Sequence, residues 1–86
     1  MRTFPLIVSS PTGEVFRGNV VSISLRGIEG DLAVLAGHTP FITAVKPCDC
    51  LVFLEDGTEK TGHIDGGLLT VAKEGTTLLS GTFDWK

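Results

Sequence analysis

Turn-forming residues recur at short intervals along the 86 residues, which limits every secondary-structure element to a few residues. Eleven Gly and four Pro separate apolar segments, and turn signals follow one another about every 8–12 residues. No segment has the 3.6-residue apolar period of an amphipathic helix. Val, Ile, Thr, Phe and Trp make up 29 residues, against four Ala. The sequence therefore predicts an all-β chain of eight or more short strands, arranged as a β-sandwich or a barrel.

The alternation of Val21, Ile23 and Leu25 with polar residues is the clearest pattern of a half-buried strand. Other extended segments are predicted around Phe4–Val8, Glu14–Arg17, Asp31–Leu35, Phe41–Val45, Leu51–Glu55, Thr58–Ile64, Leu68–Ala72 and Thr76–Ser80.

Three local features add detail to these strands. Asp56 and Gly57 lie between two predicted strands and indicate a hairpin with a type I′ turn, which requires positive φ at both residues. Gly18 is expected to mark a bulge or a bend. The continuously apolar segment 51–54 is expected to be covered on both sides.

Charge and hydropathy exclude several classes of protein. The net charge is −3, and the basic residues are scattered from Arg2 to Lys86 without a basic stripe, which argues against nucleic acid as a partner. No apolar run approaches the roughly 18–20 residues that cross a bilayer, and the N-terminus lacks the features of a signal peptide. We expect a chain kept in a cytosol-like compartment that meets a membrane only through another protein.

Cys48 and Cys50 are the residues that a metal site would most plausibly use, with His38 and His63 elsewhere in the chain. Zinc sites usually separate paired cysteines by two to four residues, and cysteines two apart on a strand are badly placed for a disulfide. Two small buried or half-buried thiols are therefore favoured over a metal site.

Catalytic chemistry has little support in the sequence. His63 and Asp65 are spaced to share a strand face and hydrogen-bond, but no Ser or Cys stands in a recognisable nucleophile setting. Gly27 and Gly30 form only a fragment of a dinucleotide motif. We predict no catalytic residue, no bound metal and no cofactor.

The segment from Gly27 to Pro40 combines three glycines and a proline. Two interpretations stay open: a turn-rich connection between two sheets, or an exposed loop that presents a shaped contact surface.

From Gly27 to Pro47 the sequence closely resembles the epsilon subunit of F-type ATP synthases. The shared pattern is Gly-x-x-Gly-acidic, a short apolar strand, Gly-His-x-Pro, an apolar pair, Thr-Ala and Lys-Pro. Further matches are Val15-Phe16, the Asp56-Gly57 turn and Gly66-Gly67-Leu68-Leu69-Thr70-Val71, so the resemblance spans about residues 4–80.

This resemblance implies a single domain over residues 1–86, a β-sandwich of about ten strands in two packed sheets. It implies a non-catalytic rotor subunit of the central stalk, which links the gamma subunit to the c-ring and couples ion flow to ATP synthesis. The chain would be a peripheral membrane protein on the cytoplasmic face of the cell membrane, in contact with the membrane only through the c-ring.

The resemblance also implies which residues contact each partner. Glu29, Gly30 and Asp31 match the edge that faces the c-ring. The positions that match the gamma-facing side are Ser10, His38, Thr43, Asp65 and Leu68.

The chain departs from the family pattern in a few places. Ala36 stands where the family usually has Pro, and Cys48 stands where it usually has Gly. The family commonly continues into two C-terminal helices; this sequence ends at Lys86, so no helical hairpin is expected if these 86 residues are the whole protein. The aromatic residues of 83–85 lack a family counterpart and are expected to cap the core or pack on a partner.

Two alternatives to the rotor subunit differ in what they require. A small hydrolase or metal-dependent enzyme would use His38, His63, Asp65 or the two cysteines. A stand-alone β-sandwich module would bind some other protein and use none of these residues chemically.

Overall fold

Residues 2–86 are described by the computed structural model, and they form nine β-strands and no helix. The prediction of one domain over residues 1–86 includes Met1, which lies outside the described residues. The strands are β1 (Phe4–Ser10), β2 (Gly13–Gly27), β3 (Gly30–Leu35), β4 (Phe41–Val45), β5 (Cys48–Leu54), β6 (Glu59–Ile64), β7 (Gly67–Ala72), β8 (Gly75–Ser80) and β9 (Phe83–Trp85). The predicted all-β class is confirmed.

Strand β2 is 15 residues long and takes part in both layers of the sandwich. Its first half pairs with β1, and its second half pairs with β3 on one side and β5 on the other. The first layer has the order β2–β1–β8–β7–β4, and the second layer has the order β3–β2–β5–β6–β9. The chain has nine strands. Each layer contains five, because β2 is counted in both, and this gives the ten strands that the resemblance implies.

The core lies between the two layers, because alternate residues of each strand face inward. Fully burying one aliphatic side chain of this kind contributes about 1.5–3 kcal/mol. The buried apolar residues are Phe4, Leu6, Val8, Val20, Ile23, Leu25, Val34, Val45, Cys50, Val52, Ile64, Leu69, Val71 and Leu78.

A β-bulge interrupts the alternation predicted for β2. The register of β2 against β5 shifts between Val20 and Ser22, so that Val21 is the extra residue. Val20 is consequently fully buried and Val21 only half-buried, while Ile23 faces the core as predicted. Gly18 is not the site of a bulge, because β2 continues through that residue in regular pairing with β1.

The hairpin predicted at Asp56 and Gly57 is present, but its turn is not type I′. Gly57 has a φ of +89°, and no non-glycine residue among 2–86 has positive φ. The Gly57 amide donates to the carbonyl of Leu54 at 3.1 Å, and the Leu54 amide donates to that of Thr58 at 2.8 Å. This is a three-residue loop with glycine in the left-handed position. Because the Asp56 carboxylate accepts the Thr58 amide at 2.8 Å, the side chain stabilises the turn without positive φ at Asp56.

The apolar segment at the end of β5 is covered on one side only, so the prediction of two covered faces is wrong. Val52 is fully buried, whereas the next residue, Phe53, is 38% exposed. The reason is that β5 belongs to a layer with the core on one face and solvent on the other.

Strand β9 caps the edge of the second layer with its two aromatic residues. Of the two predicted roles, capping the core or packing on a partner, the structure shows the first. The Phe83 ring lies over Gly62 of the neighbouring strand β6. Trp85 makes edge-to-face contacts with Phe83 and with Phe16 of β2, with ring centroids 4.7 Å and 6.0 Å apart. The Lys60 ammonium lies 4.2 Å from the Trp85 ring centroid, which adds a cation–π contact to the cap.

Replacing Gly62 by Ala should weaken this cap. A Cβ at Gly62 would lie 2.3 Å from the Cζ atom of Phe83, and overpacking of this kind costs about 1–3 kcal/mol. Urea unfolding of the variant and of the wild type measures the decrease in the free energy of unfolding. Gly18→Ala is the control, since its Cβ would meet Phe16 at an ordinary 3.4 Å. If the clash is the cause, adding Phe83→Leu restores part of the stability; equal stability of both alanine variants contradicts the contact.

Candidate partner-binding surface

On β1, β8, β7 and β4 the outer face of the first layer carries no charged side chain, and we call this part of it the apolar face. Arg17 and Glu14 of β2 lie beside it, opposite Ile7 and Ser9, and pair with each other. Two rows of side chains cross β1, β8, β7 and β4 in register. The first row is Ser9, Leu79, Leu68 and Ala44, and the second row is Ile7, Thr77, Thr70 and Ile42.

Large aliphatic side chains on the apolar face are exposed to solvent. Ile42 is 66% exposed, Leu79 is 47% exposed and Leu68 is 41% exposed. Leu68 and Leu79 are directly opposite each other on neighbouring strands, so their exposed surfaces adjoin. Contiguous exposed apolar surface of this kind marks interaction sites in many proteins.

The outer face of the second layer is charged, and several of its charges pair with one another. Arg26 Nε donates to Asp31 at 2.9 Å. Asp49 lies 2.9 Å from His63 Nδ1 through one oxygen and accepts from Lys86 at 2.8 Å through the other. These hydrogen bonds, the Lys86 bond first, hold the pKa of Asp49 below its usual value. The two faces therefore differ in chemistry: the second layer presents charged side chains, several of them paired, whereas β1, β8, β7 and β4 of the first layer present none.

Three residues predicted to contact the gamma subunit lie where the strands of the first layer begin or end, at one end of the sheet. Ser10 and Leu68 line a shallow recess that also includes Ser80 and Gly81. Asp65 adjoins this recess, since its carboxylate accepts hydrogen bonds at 3.3 Å from the Ser80 hydroxyl and at 3.3 Å from the Thr82 amide. Leu68 is the one residue of the three that belongs to the apolar face.

The other two predicted gamma contacts, His38 and Thr43, lie in a different recess. That recess is also lined by the three residues predicted to face the c-ring, Glu29, Gly30 and Asp31. The His38 ring packs against Phe41, with centroids 5.1 Å apart, and its Nδ1 lies 3.0 Å from the Thr39 carbonyl oxygen. The structure thus brings residues of the two predicted sets together.

The segment from Gly27 to Pro40 is more regular than a loop. Strand β3 occupies residues 30–35 and forms a tight hairpin with β2, whose turn residues are Ile28 and Glu29. Gly27 pairs with Gly30, which has a φ of +129° that favours glycine. The irregular part of the segment is therefore the turn at 28–29 and the connection at 36–40, while β3 between them exposes Asp31, Ala33 and Leu35 on its outer side.

The candidate chemical residues are not assembled into a reactive site. His63 and Asp65 do not bond to each other, because His63 pairs with Asp49 across the strands. Cys48 is half-buried and accepts the Arg26 amide at 3.4 Å, and Cys50 is fully buried, both as free thiols. Burial raises the pKa of Cys50 to about 12.

Among residues 2–86, no three His, Cys, Asp or Glu side chains cluster as metal ligands would. The same part of the chain holds no helix of the length and apolarity needed to cross a membrane.

Sequence reasoning found Leu68 but missed the rest of the apolar face. The available signal was a set of apolar doublets, Phe41-Ile42, Leu68-Leu69 and Leu78-Leu79. In a sheet that is covered on one face only, a doublet sends one side chain to the core and the other to solvent. Three doublets on neighbouring strands therefore predict an apolar outer surface once the strand order is known.

A family-wide sequence comparison matches residues 3–86 to the ATP synthase delta/epsilon chain, beta-sandwich domain. The chain belongs to this family. The resemblance drawn from the Gly27–Pro47 pattern is thereby confirmed, and so is the β-sandwich class.

Solved structures agree with the family fold. A chain of the Euglena gracilis mitochondrial ATP synthase, solved by cryo-EM as an OSCP/F1/c-ring assembly, is 24% identical with a TM-score of 0.90 and covers 96% of this chain. A chain of the Tetrahymena thermophila mitochondrial ATP synthase central stalk and c-ring is 12% identical with a TM-score of 0.79 over 95% of this chain. This chain covers 53% of the Euglena chain and 66% of the Tetrahymena chain.

Proposed function

We propose that this family member is a non-catalytic subunit of the central stalk of a rotary ATP synthase. It links the gamma subunit to the c-ring and transmits torque between them, and so couples ion flow to ATP synthesis. The observation that carries this proposal is the apolar face of a sandwich whose family is that of the delta/epsilon chains. The similar solved chains come from assemblies that contain a c-ring or a central stalk with a c-ring.

The physical argument is that torque transfer needs a stiff body with a broad docking surface. A β-sandwich held by two hydrogen-bonded layers is stiff, and protein–protein interfaces are centred on desolvated apolar patches with polar rims. The apolar face supplies such a patch with Ile42, Leu68 and Leu79, and Ser10 and Asp65 lie at its rim. We assign this face to the gamma subunit.

We assign the β2–β3 hairpin to the c-ring. Its turn carries Ile28 and Glu29, and Gly30 and Asp31 follow at the start of β3. His38 and Thr43 line the recess beside that hairpin, so we propose that they lie where the two partners meet. The chain would be peripheral to the membrane, held there through the ring. We propose the cytoplasmic face of the cell membrane as its location; the two similar complexes are themselves mitochondrial.

Reconstitution tests this function. We expect a synthase depleted of this chain to lose coupled ATP synthesis in proteoliposomes, and purified chain to restore it, while the isolated chain hydrolyses no ATP. Full coupling in the depleted enzyme, or stable capture of partners outside the synthase in place of the gamma subunit, contradicts the proposal and favours a stand-alone binding module.

A further inference from the structure

We propose that a cavity at one end of the sandwich, between its two layers, binds a small aliphatic carboxylate. The cavity has a volume of about 410 Å³ and opens beside the connection at 36–40. It shares no lining residue with the apolar face, and the inference does not depend on the proposed rotor function. Sites for small ligands typically have volumes of about 300–1,000 Å³. This cavity is near the lower limit, so a short ligand is expected.

The walls of the cavity are the ends of strands from both layers. Phe4 begins β1 and Val71 lies near the end of β7, both in the first layer, and Val34 lies near the end of β3 in the second layer. Each of the three is a core residue that is at most 9% exposed. Pro40 of the connection adds a further apolar side chain. An aliphatic chain that enters this space is removed from water at the open end of the core.

Thr76 supplies a buried hydroxyl to the cavity. It alternates with Leu78 on the core side of β8 and is 3% exposed. Ser80, the other buried polar residue of β8, has three acceptors within hydrogen-bond distance, whereas the Thr76 hydroxyl has no partner among residues 2–86. No side-chain oxygen or nitrogen in that part of the chain is both enclosed and without a partner, so the Thr76 hydroxyl is open to the cavity that it lines. It is therefore free to donate to an oxygen of a ligand.

Two cationic side chains lie at the cavity without an acidic partner. Lys73 lines it, and the Arg2 guanidinium packs on Gly37, where a Cβ atom would lie 3.2 Å from an Arg2 nitrogen. Neither forms a salt bridge within residues 2–86. The acidic residue next to Lys73, Glu74, lines a different recess. The charge at the cavity therefore favours an anionic ligand over a neutral or cationic one.

A carboxylate meets both polar groups at once. Lys73 lies in the tight turn between β7 and β8, and Thr76 follows that turn in β8. One carboxylate oxygen accepts the Thr76 hydroxyl while the negative charge lies near the Lys73 ammonium, and the aliphatic chain packs on the apolar walls. Charge-assisted hydrogen bonds of this kind are stronger than neutral ones.

The test is an NMR titration of the full 86-residue chain, labelled with ¹⁵N, with sodium hexanoate. For a ligand of this size we expect a Kd of about 1 mM. The shifted amides should lie around the cavity, at Val34, Thr39 and Thr76. Hexanamide has the same chain without the charge, and it should bind about threefold more weakly.

Two variants test the polar groups. Thr76→Val removes the hydroxyl at nearly constant volume and should weaken hexanoate binding about fivefold. Lys73→Gln should weaken it about threefold. The matched control is Thr77→Val, the same substitution one residue later on the outer side of β8, which should bind hexanoate as wild type does.

Thermal melting of the free chain gives an independent measurement. Because Thr76→Val removes a buried hydroxyl that lacks a partner, it should raise Tm by about 4 °C or more while it weakens binding. A hydroxyl with a merely structural role would give the opposite shift, so a lower Tm contradicts the assignment.

Three further outcomes overturn the proposal: the absence of saturable binding by hexanoate, equal affinity of Thr76→Val and wild type, and amide shifts centred on Ile42, Leu68 and Leu79. The last of these would place the probe on the apolar face. None of the three bears on the rotor function, which reconstitution tests separately.

Discussion

Replacing Leu68 by Asp is expected to weaken binding to the gamma subunit by about 100-fold while the chain stays folded. Leu68 lies in the middle of the apolar face, between Leu79 and Ala44 in the same row, and is 41% exposed. In the free chain the new carboxylate is solvated. In the complex it would be buried against apolar surface without a partner, which is strongly unfavourable. Titration of the variant against purified gamma subunit measures the effect.

The matched control is Phe53→Asp on the opposite outer face. Phe53 is 38% exposed, so the two positions are similar in burial, and both lie on the solvent side of a strand. We expect the Phe53→Asp variant to bind the gamma subunit with wild-type affinity. Equal affinity of the Leu68 variant and wild type contradicts the assignment of the apolar face to gamma.

Replacing the next residue, Leu69, by Asp is expected to unfold the chain. Leu69 is fully buried between the layers, and an unpaired carboxylate in that position costs about 4 kcal/mol or more. A domain of this size has a free energy of unfolding of only roughly 4–10 kcal/mol. Circular dichroism and urea unfolding of the purified variant measure the loss.

Leu68→Asp serves as the control for Leu69→Asp, because it introduces the same side chain one residue earlier on the same strand. The register of β7 between β4 and β8 sets the opposite orientations of the two leucines. A folded, cooperative Leu69→Asp variant would contradict the two-layer core. If the two variants lost equal stability, the alternation of β7 would be wrong.

Much of the fold could be predicted because it depends on local signals. Alternation places Leu6 and Val8 inward on β1, and glycine and proline end the strands. The bulge at Val21 could not be predicted, because it depends on how β2 aligns with Phe53 and Leu54 of β5, which lie more than thirty residues later in the sequence. The Asp-Gly dipeptide predicts the hairpin but not the type of its turn, in which only Gly57 has positive φ and the Asp56 carboxylate accepts the Thr58 amide.

The candidate site was less accessible to sequence reasoning than the fold. Leu68 and Leu79 adjoin only because β7 and β8 pair in one particular register, and Ile42 joins them through β4. The pairing of Arg26 with Asp31 likewise requires the hairpin register that places the two residues opposite each other. The grouping of the residues implied by the family pattern depends on tertiary structure, since His38 and Thr43 share a recess with Glu29, Gly30 and Asp31.

Hydroxyl-radical footprinting of the chain, free and bound to the gamma subunit, tests the central claim most directly. The side chains of Ile42, Leu68 and Leu79 are exposed in the free chain and should react with the radical. The account predicts that these three lose reactivity in the complex while Phe53 keeps its own. Protection of Phe53 with an unprotected apolar face would contradict the account.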